Sequence, residues 1–438
     1  MKKALSILLV LIMVVSSFAA CGKKEEETGS TTATTEAGNT TEATTAAPAE
    51  EEKPAQGVTD TTIKVGNAAA TSGAYAAVGV PFNAGIEAYF KKVNDEGGIN
   101  GRKIEFVHYD DEFDPVKGKA ATESLINDDK VFAIVGHFGT PTVGATLDLL
   151  KESGIPVVYF ATGIGALYNE NADSVENGKA LFPVQPIYVT EGRLMVARAI
   201  EQHQAKKIGV IYTNDDAGKD ILAGAQNQIE KLGGDYSIVV EQINPGATDV
   251  TSAALKMKNE NVDAIIAASI QSTYPTIVKG LISQGVSKPV FTTYVNSATT
   301  TLESFAADYA MLAEKFPVYS NAWVDLTKQE QLDAYVAGIT EFGQPDYAGN
   351  AYAMTGWIAG YFMVEGIKRT EGTLTWENFM SAMESAEFQN PLGGTLNYAN
   401  GQRIGTMSMS LSKVADDGSK WEMAAQMEDL NVILDRVK

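Results

Sequence analysis

The residues of this chain best suited to chemistry are those that can hold a small ligand. Thr140, Pro141 and Thr142 follow Phe138-Gly139 at the start of an expected helix. First-turn N–H groups of a helix have no intrahelical acceptor, and with two hydroxyls beside them they can grip a carboxylate. The same residues can simply cap the helix, and composition alone favours that plainer role. Thr71-Ser72-Gly73-Ala74-Tyr75 is a small-residue loop after a strand, offering Ser72 and Tyr75 as contacts. Asp110, Asp111 and Asp114 place three carboxylates within five residues, enough to ligate Ca²⁺ or Mg²⁺. No EF-hand spacing follows, however, and Asp114-Pro115 is an ordinary helix start, so no metal is expected. His108, His137 and His203 are scattered, and H-E-x-x-H, G-x-S-x-G and Walker A runs are missing from the sequence. The chain therefore shows no machinery for an enzyme and no site for a cofactor.

These loops are positioned by an alternating series of strands and helices. Strands are expected at 63–65, 104–109, 131–136 and 156–160. Pro81 opens a helix carrying Phe82, Ile86, Phe90 and Val93 at helical spacing, and Asp114-Pro115 opens the next. A second series has strands at 207–212, 236–241, 262–268 and 289–293, after the proline-punctuated stretch Leu181-Phe182-Pro183-Val184-Gln185-Pro186. Such alternation is expected to build α/β lobes with parallel sheets, which bind ligands outside the carboxyl ends of their strands. Three helical stretches near 329–342, 352–368 and 376–385 lack strands of their own and are assigned to the first lobe. The end of the chain reads as hairpin-like strands finishing in the second.

The chain has 438 residues, 45% of them hydrophobic, enough for two ordinary domains, and a formal net charge of -21. Nucleic acid is thereby an improbable partner, because phosphate binding needs a concentrated basic face. Lys2 and Lys3, an apolar run over residues 5–15 and Phe18-Ala19-Ala20 directly before the single cysteine, Cys21, have the layout of a leader. Residues 22–60 are Thr, Ala, Glu and Gly with almost no large apolar side chain and are expected to form a disordered tether.

Gly97-Gly98-Ile99-Asn100-Gly101, Tyr109-Asp110-Asp111-Glu112-Phe113-Asp114-Pro115, Val135-Gly136-His137, Ser153-Gly154-Ile155-Pro156 and Phe160-Ala161-Thr162 occur in this order. As a set, from about 61 to about 427, they resemble the leucine/isoleucine/valine-binding family of type I periplasmic binding proteins. That resemblance implies two Rossmann-like lobes joined by a three-strand hinge, expected here as 61–184 with 320–404 and 185–319 with 405–438. It implies ligand capture between the lobes and delivery to ABC permease subunits, with no enzymatic activity and a monomeric state. A sensor that presents the same closed form to a membrane receptor is the alternative.

The leader likewise resembles a bacterial lipoprotein signal, residues 1–20, with Cys21 the lipidated first residue of a mature protein on the outer face of the cell membrane. Phe18 departs from the Leu usual there. In the family the loop at Thr140 and Thr142 grips the ligand carboxylate, and the main chain at Phe160 and the hydroxyl at Thr162 assist. Amino-acid binders of the family place acidic residues for the ligand ammonium where this chain has Tyr188 and Tyr294. An unsubstituted acid or amide is therefore expected to compete well, since an unpaired ammonium in a closed cleft is costly. Gln271 completes the expected contacts, and Glu191, Asp215 and Asp216 are the acids that can reach the cleft.

Overall fold

The computed structural model describes residues 52–438. Cys21, the leader and the tether up to residue 51 lie outside the described residues. The expected tether extends to 60, but its last residues pack on the first lobe. The Ala55 N–H donates to the Leu374 carbonyl at 3.0 Å, and the Gln56 amide donates to the Val131 carbonyl at 3.0 Å. An apolar Ala55 and Val58, and a glutamine with a carbonyl to reach, give this stretch its partners.

The first lobe begins with β1 (Thr62–Ala69), α1 (Ala76–Asp95), β2 (Lys103–Asp110), α2 (Pro115–Asn127), β3 (Ala133–Phe138), α3 (Thr140–Ser153), β4 (Val157–Ala161) and the short β5 (Leu181–Phe182). Its five strands pair in the order β2-β1-β3-β4-β5, all parallel. Pro81 does not open α1 but lies inside its second turn. A 3-10 turn at Gly73–Tyr75 starts the helix earlier, and the Asp110 carboxylate pins that turn by accepting the Thr71 and Ser72 N–H groups at 3.0 and 3.2 Å. Asp114 caps α2, accepting from the Val116 and Lys117 N–H groups at 2.8 and 3.0 Å.

The second lobe continues through α4 (Tyr188–His203), β6 (Lys207–Thr213), α5 (Asp216–Leu232), β7 (Ser237–Ile243), α6 (Thr251–Asn259), β8 (Ala264–Ala268), α7 (Thr273–Ser283), β9 (Val290–Thr292), α8 (Thr299–Ala310) and β10 (Val318–Ala322). The chain then returns to the first lobe for α9 (Gln329–Phe342), α10 (Ala351–Arg369), α11 (Trp376–Ser385) and the small pair β11 (Phe388–Gln389) and β12 (Thr395–Leu396). It ends in the second lobe with β13 (Ser408–Val414), β14 (Trp421–Asp429) and α12 (Leu430–Asp435). The seven-stranded sheet has the order β14-β13-β10-β9-β8-β6-β7. Its last two strands in sequence form an antiparallel hairpin laid against β10.

The expected second crossing at 317–321, with the first lobe resuming at 320, is corrected by this sheet. Val318 and Tyr319 pair in parallel with Val290 and Phe291 of β9, and Tyr319 and Ser320 pair with Lys413 and Ser412 of β13. Strand partners on both sides hold β10 in the second lobe, and the chain crosses only after Ala322. The first and third crossings run side by side, with the Thr406 N–H donating to the Val184 carbonyl at 3.0 Å. Helix α10 joins the first lobe by backbone-to-backbone packing on α1. A Cβ on Gly85 would stand 2.0 Å from the Ala353 carbonyl oxygen, and one on Gly356 would stand 1.8 Å from that of Phe82. Only glycine permits that approach.

Candidate functional site

Between the two lobes lies a cavity of about 590 Å³, a size suited to a small organic ligand. On the first-lobe side it is lined by Val78 and Phe82 of α1, Phe113, Phe138, Gly139, Thr140 and Ala161. On the other side stand Tyr188, Ile270, Gln271, Tyr294 and Val295, and the crossings contribute Gln185 and Trp323. Strand ends and helix starts converge here because every parallel strand of both sheets points its carboxyl end at the gap.

Gly139, at φ 89°, turns the chain sharply out of β3 into α3. Pro141 has no N–H, so the first-turn donors come from Thr140 and Thr142. Their hydroxyls part ways. The Thr140 hydroxyl meets that of Thr162 at 2.8 Å. Thr142 points under the loop and donates to the Asp111 carboxylate at 2.7 Å. Two positions along a helix are about 200° apart around its axis, so one hydroxyl faces the cleft and the other faces α2.

The second-lobe wall is aromatic. The rings of Tyr188 and Tyr294 stack with centroids 6.1 Å apart. The Tyr294 hydroxyl donates to the Gln185 Oε1 at 2.9 Å, and the Gln185 amide donates to the Tyr159 hydroxyl at 2.7 Å. Burial pushes the Tyr188 hydroxyl up to about 12 and that of Tyr294 well above the usual range, so both remain neutral donors at physiological pH.

Glu191 lies beneath this wall and does not line the cavity. One carboxylate oxygen accepts from the Tyr294 N–H at 3.1 Å and the Asn321 amide at 2.9 Å, and the other from the Thr293 hydroxyl. Arg198 is linked to it through Asn321, donating to the Asn321 Oδ1 at 2.8 Å and to the Ser410 and Met409 carbonyls at 2.8 and 3.0 Å. Burial raises the Glu191 carboxyl to about 7, against the three donors and the Arg198 charge that favour ionisation. Burial likewise lowers Arg198 to about 10. Asp215 is occupied as the cap of α5, accepting from the Gly218 N–H at 2.9 Å. Neither Asp215 nor Asp216 lines the cavity; Asp325, on the second crossing, is the acid that does, and its Oδ1 accepts the Thr327 N–H and hydroxyl.

Of the expected contacts, the cavity thus brings together Thr140, Tyr188, Gln271 and Tyr294. Thr162 is buried directly behind Thr140. Ser72 spends its N–H on Asp110 and stands outside the lining. Tyr75 stacks on Phe113 with centroids 3.6 Å apart, so Phe113 rather than Tyr75 faces the cavity. Phe160 is wholly buried in the packing between β4 and α3, and the neighbouring Ala161 takes the lining position. Gln185, Phe82 and Trp323 escaped the sequence reading, because a crossing residue and two core-like aromatics carry no local signal of a site.

The lobes also touch across the mouth. The Gly165 N–H of the first lobe donates to the Asp220 carboxylate of α5 at 2.6 Å. The two lobes are thus in direct contact beside the cavity. Among the described residues no cluster of side chains is suited to a metal ion, and no helix is long and apolar enough to cross a membrane.

Residues 62–419 match the model of a family described as periplasmic binding protein. The Leu/Ile/Val-binding protein of Citrobacter freundii is 23% identical over 326 residues, covering 72% of this chain and 86% of that protein. The amino acid binding protein of Pseudomonas aeruginosa is 24% identical over 225 residues, and the match covers 51% of this chain and 58% of its relative. Among solved structures, a branched chain amino acid ABC transporter protein from Thermus thermophilus with bound valine superimposes with a TM-score of 0.71 at 16% identity, covering 86% of this chain and 98% of its own.

Proposed function

Because the chain belongs to the periplasmic binding protein family, in its leucine/isoleucine/valine-binding type, we propose that it is the extracytoplasmic substrate-binding component of an ABC importer and captures a small carboxylate-bearing solute between its lobes. The observation that carries this reading is the pairing of Thr140 and Thr162 at the start of α3 on one cavity wall. There, Gly139 and Thr140 at the start of α3 line a gap that the opposing lobe borders. Donors at a helix start suit an anion, and closure removes the water that would compete for it. The class includes branched-chain amino acids and related organic acids or amides. The permease reads the closed form, and the protein acts as a monomer without catalysis. Domain boundaries consistent with this reading are residues 54–184 with 323–404 for the first lobe and 185–322 with 405–438 for the second.

Thermal unfolding with a panel of branched-chain amino acids, other amino acids and small organic acids tests the proposal. A cognate class raises the melting temperature progressively with concentration. If none of the panel moves it, uptake of this class is the wrong reading. Anchoring is proposed through a lipid on Cys21 after removal of residues 1–20. The Cys21→Ser protein is then released from the membrane fraction, and its retention would place the anchor elsewhere.

A further inference from the structure

The cavity does not end at the tyrosine wall. It continues past Trp323 along the second crossing, by Val324 and Leu326, and onto the hairpin of β13 and β14 at Trp421, Met423 and Met427. Strand alternation makes this outer arm possible. Met409 and Leu411 of β13 enter the core, so Ser410 and Ser412 present the opposite face, and Ser412 pairs with Met423 of β14. Leu326 and Met423 both line the arm and are 61% and 51% exposed. Large apolar side chains left in water beside a cavity are a mark of a binding groove.

The charged groups of the arm already have partners. Lys420 pairs with Glu422 at 3.2 Å, and the Asp325 carboxylate serves the Thr327 turn.

We infer that the ligand is an elongated amphipathic monocarboxylate whose head lies at Thr140 and whose uncharged, aliphatic or aryl tail runs through this outer arm past Leu326 and Met423. The inference rests on the carboxylate reading above and adds to it the class of tail. A branched-chain amino acid fills only the inner part of a cavity of about 590 Å³. An extended tail instead covers apolar surface that would otherwise remain in water.

Calorimetry on the full folded chain with butyrate, hexanoate, octanoate and phenylbutyrate provides the test, repeated on Leu326→Asp and Met423→Asp. Both residues are exposed, so the variants keep the fold. Affinity is expected to rise by about fourfold per buried methylene along the straight-chain series. Each variant is expected to weaken octanoate and phenylbutyrate by about tenfold or more and to leave butyrate within about twofold. Trp421→Phe should also reduce a change in indole fluorescence that the long acids produce and butyrate does not, leaving the part that Trp323 contributes.

If short and long acids bind equally well, or if the variants weaken all of them alike, the outer arm is not a tail site, while the carboxylate reading stands. If no acid of any length binds, the carboxylate reading fails and takes this inference with it.

Discussion

The two walls of the cleft use their polar groups in opposite ways. The first-lobe wall leaves donors at the surface, with the Thr140 hydroxyl and the start of α3 facing the cavity. The second-lobe wall turns its charge inward. Glu191 sits beneath the rings of Tyr188 and Tyr294, its carboxylate taken up by Thr293, Asn321 and the Tyr294 N–H. On the proposed reading the first lobe offers donors to an anion, and the second supplies a neutral aromatic surface with a carboxyl group buried beneath it. The proposed anion contact and the buried polar network therefore lie on different walls.

Three substitutions and one ligand comparison break or sharpen that contrast. The largest effect is expected for Tyr294→Ala, which removes a buried ring, its bond to Gln185 and its stacking on Tyr188. Loss of a large aromatic from a packed site costs about 3–5 kcal/mol, readable by urea unfolding. A loss near zero would mean that the second wall is not structural.

Glu191→Gln comes next, through pH. A carboxyl whose pKa is raised on folding contributes stability that is full below its unfolded value near 4.5 and lost as pH rises through about 7. That change is on the order of 3 kcal/mol. His137, buried in the first lobe and lowered by burial to about 4, works with the opposite sign. Its stability is full above 6.5 and lost as pH falls through about 4. The wild-type chain therefore shows two opposed slopes that partly cancel. Glu191→Gln should leave the His137 slope alone, so that unfolding free energy falls steadily on acidification. An unchanged pH profile would show that Glu191 is not the buried titrating group of the second lobe.

The smallest effect is Thr140→Val, which deletes one hydroxyl from the anion side. A charge-assisted hydrogen bond is worth about 1.5–3 kcal/mol, so carboxylate binding should weaken by about 10–100-fold in calorimetry. Stability should change far less. If affinity is unaltered, the anion is held elsewhere. Comparing an α-amino acid with its deaminated analogue sharpens the same point: clearly tighter binding of the amino acid would identify a counter-charge, with Asp325 at the cavity edge the first residue to replace.

Much of this molecule is legible in the amino-acid order. The alternation of strand and helix, the cap at Asp114 and the sharp turn at Gly139 all arise from contacts between near neighbours in the chain. Periodicity and capping report on such contacts directly. For the same reason Thr140 could be marked as a candidate contact before its place in the cavity lining was known. Other features rest on partners far away in sequence. Residues 318–322 belong to the second sheet because Val290 and Lys413 flank them there, and nothing in their own composition chooses between a crossing and a strand.

Whether Thr140 or Thr142 faces the cleft depends on helix phase and on Asp111, 31 residues before Thr142. The disposition of Glu191 was equally hidden, since its donors lie 102 to 130 residues away. The outer arm joins the second crossing to a hairpin near the end of the chain. Local sequence determined which elements form, because short-range sterics and hydrogen bonding decide that. Only the tertiary structure decided which side chains share the cavity, because that depends on sheet order, helix phase and lobe closure, which are set by packing between distant segments.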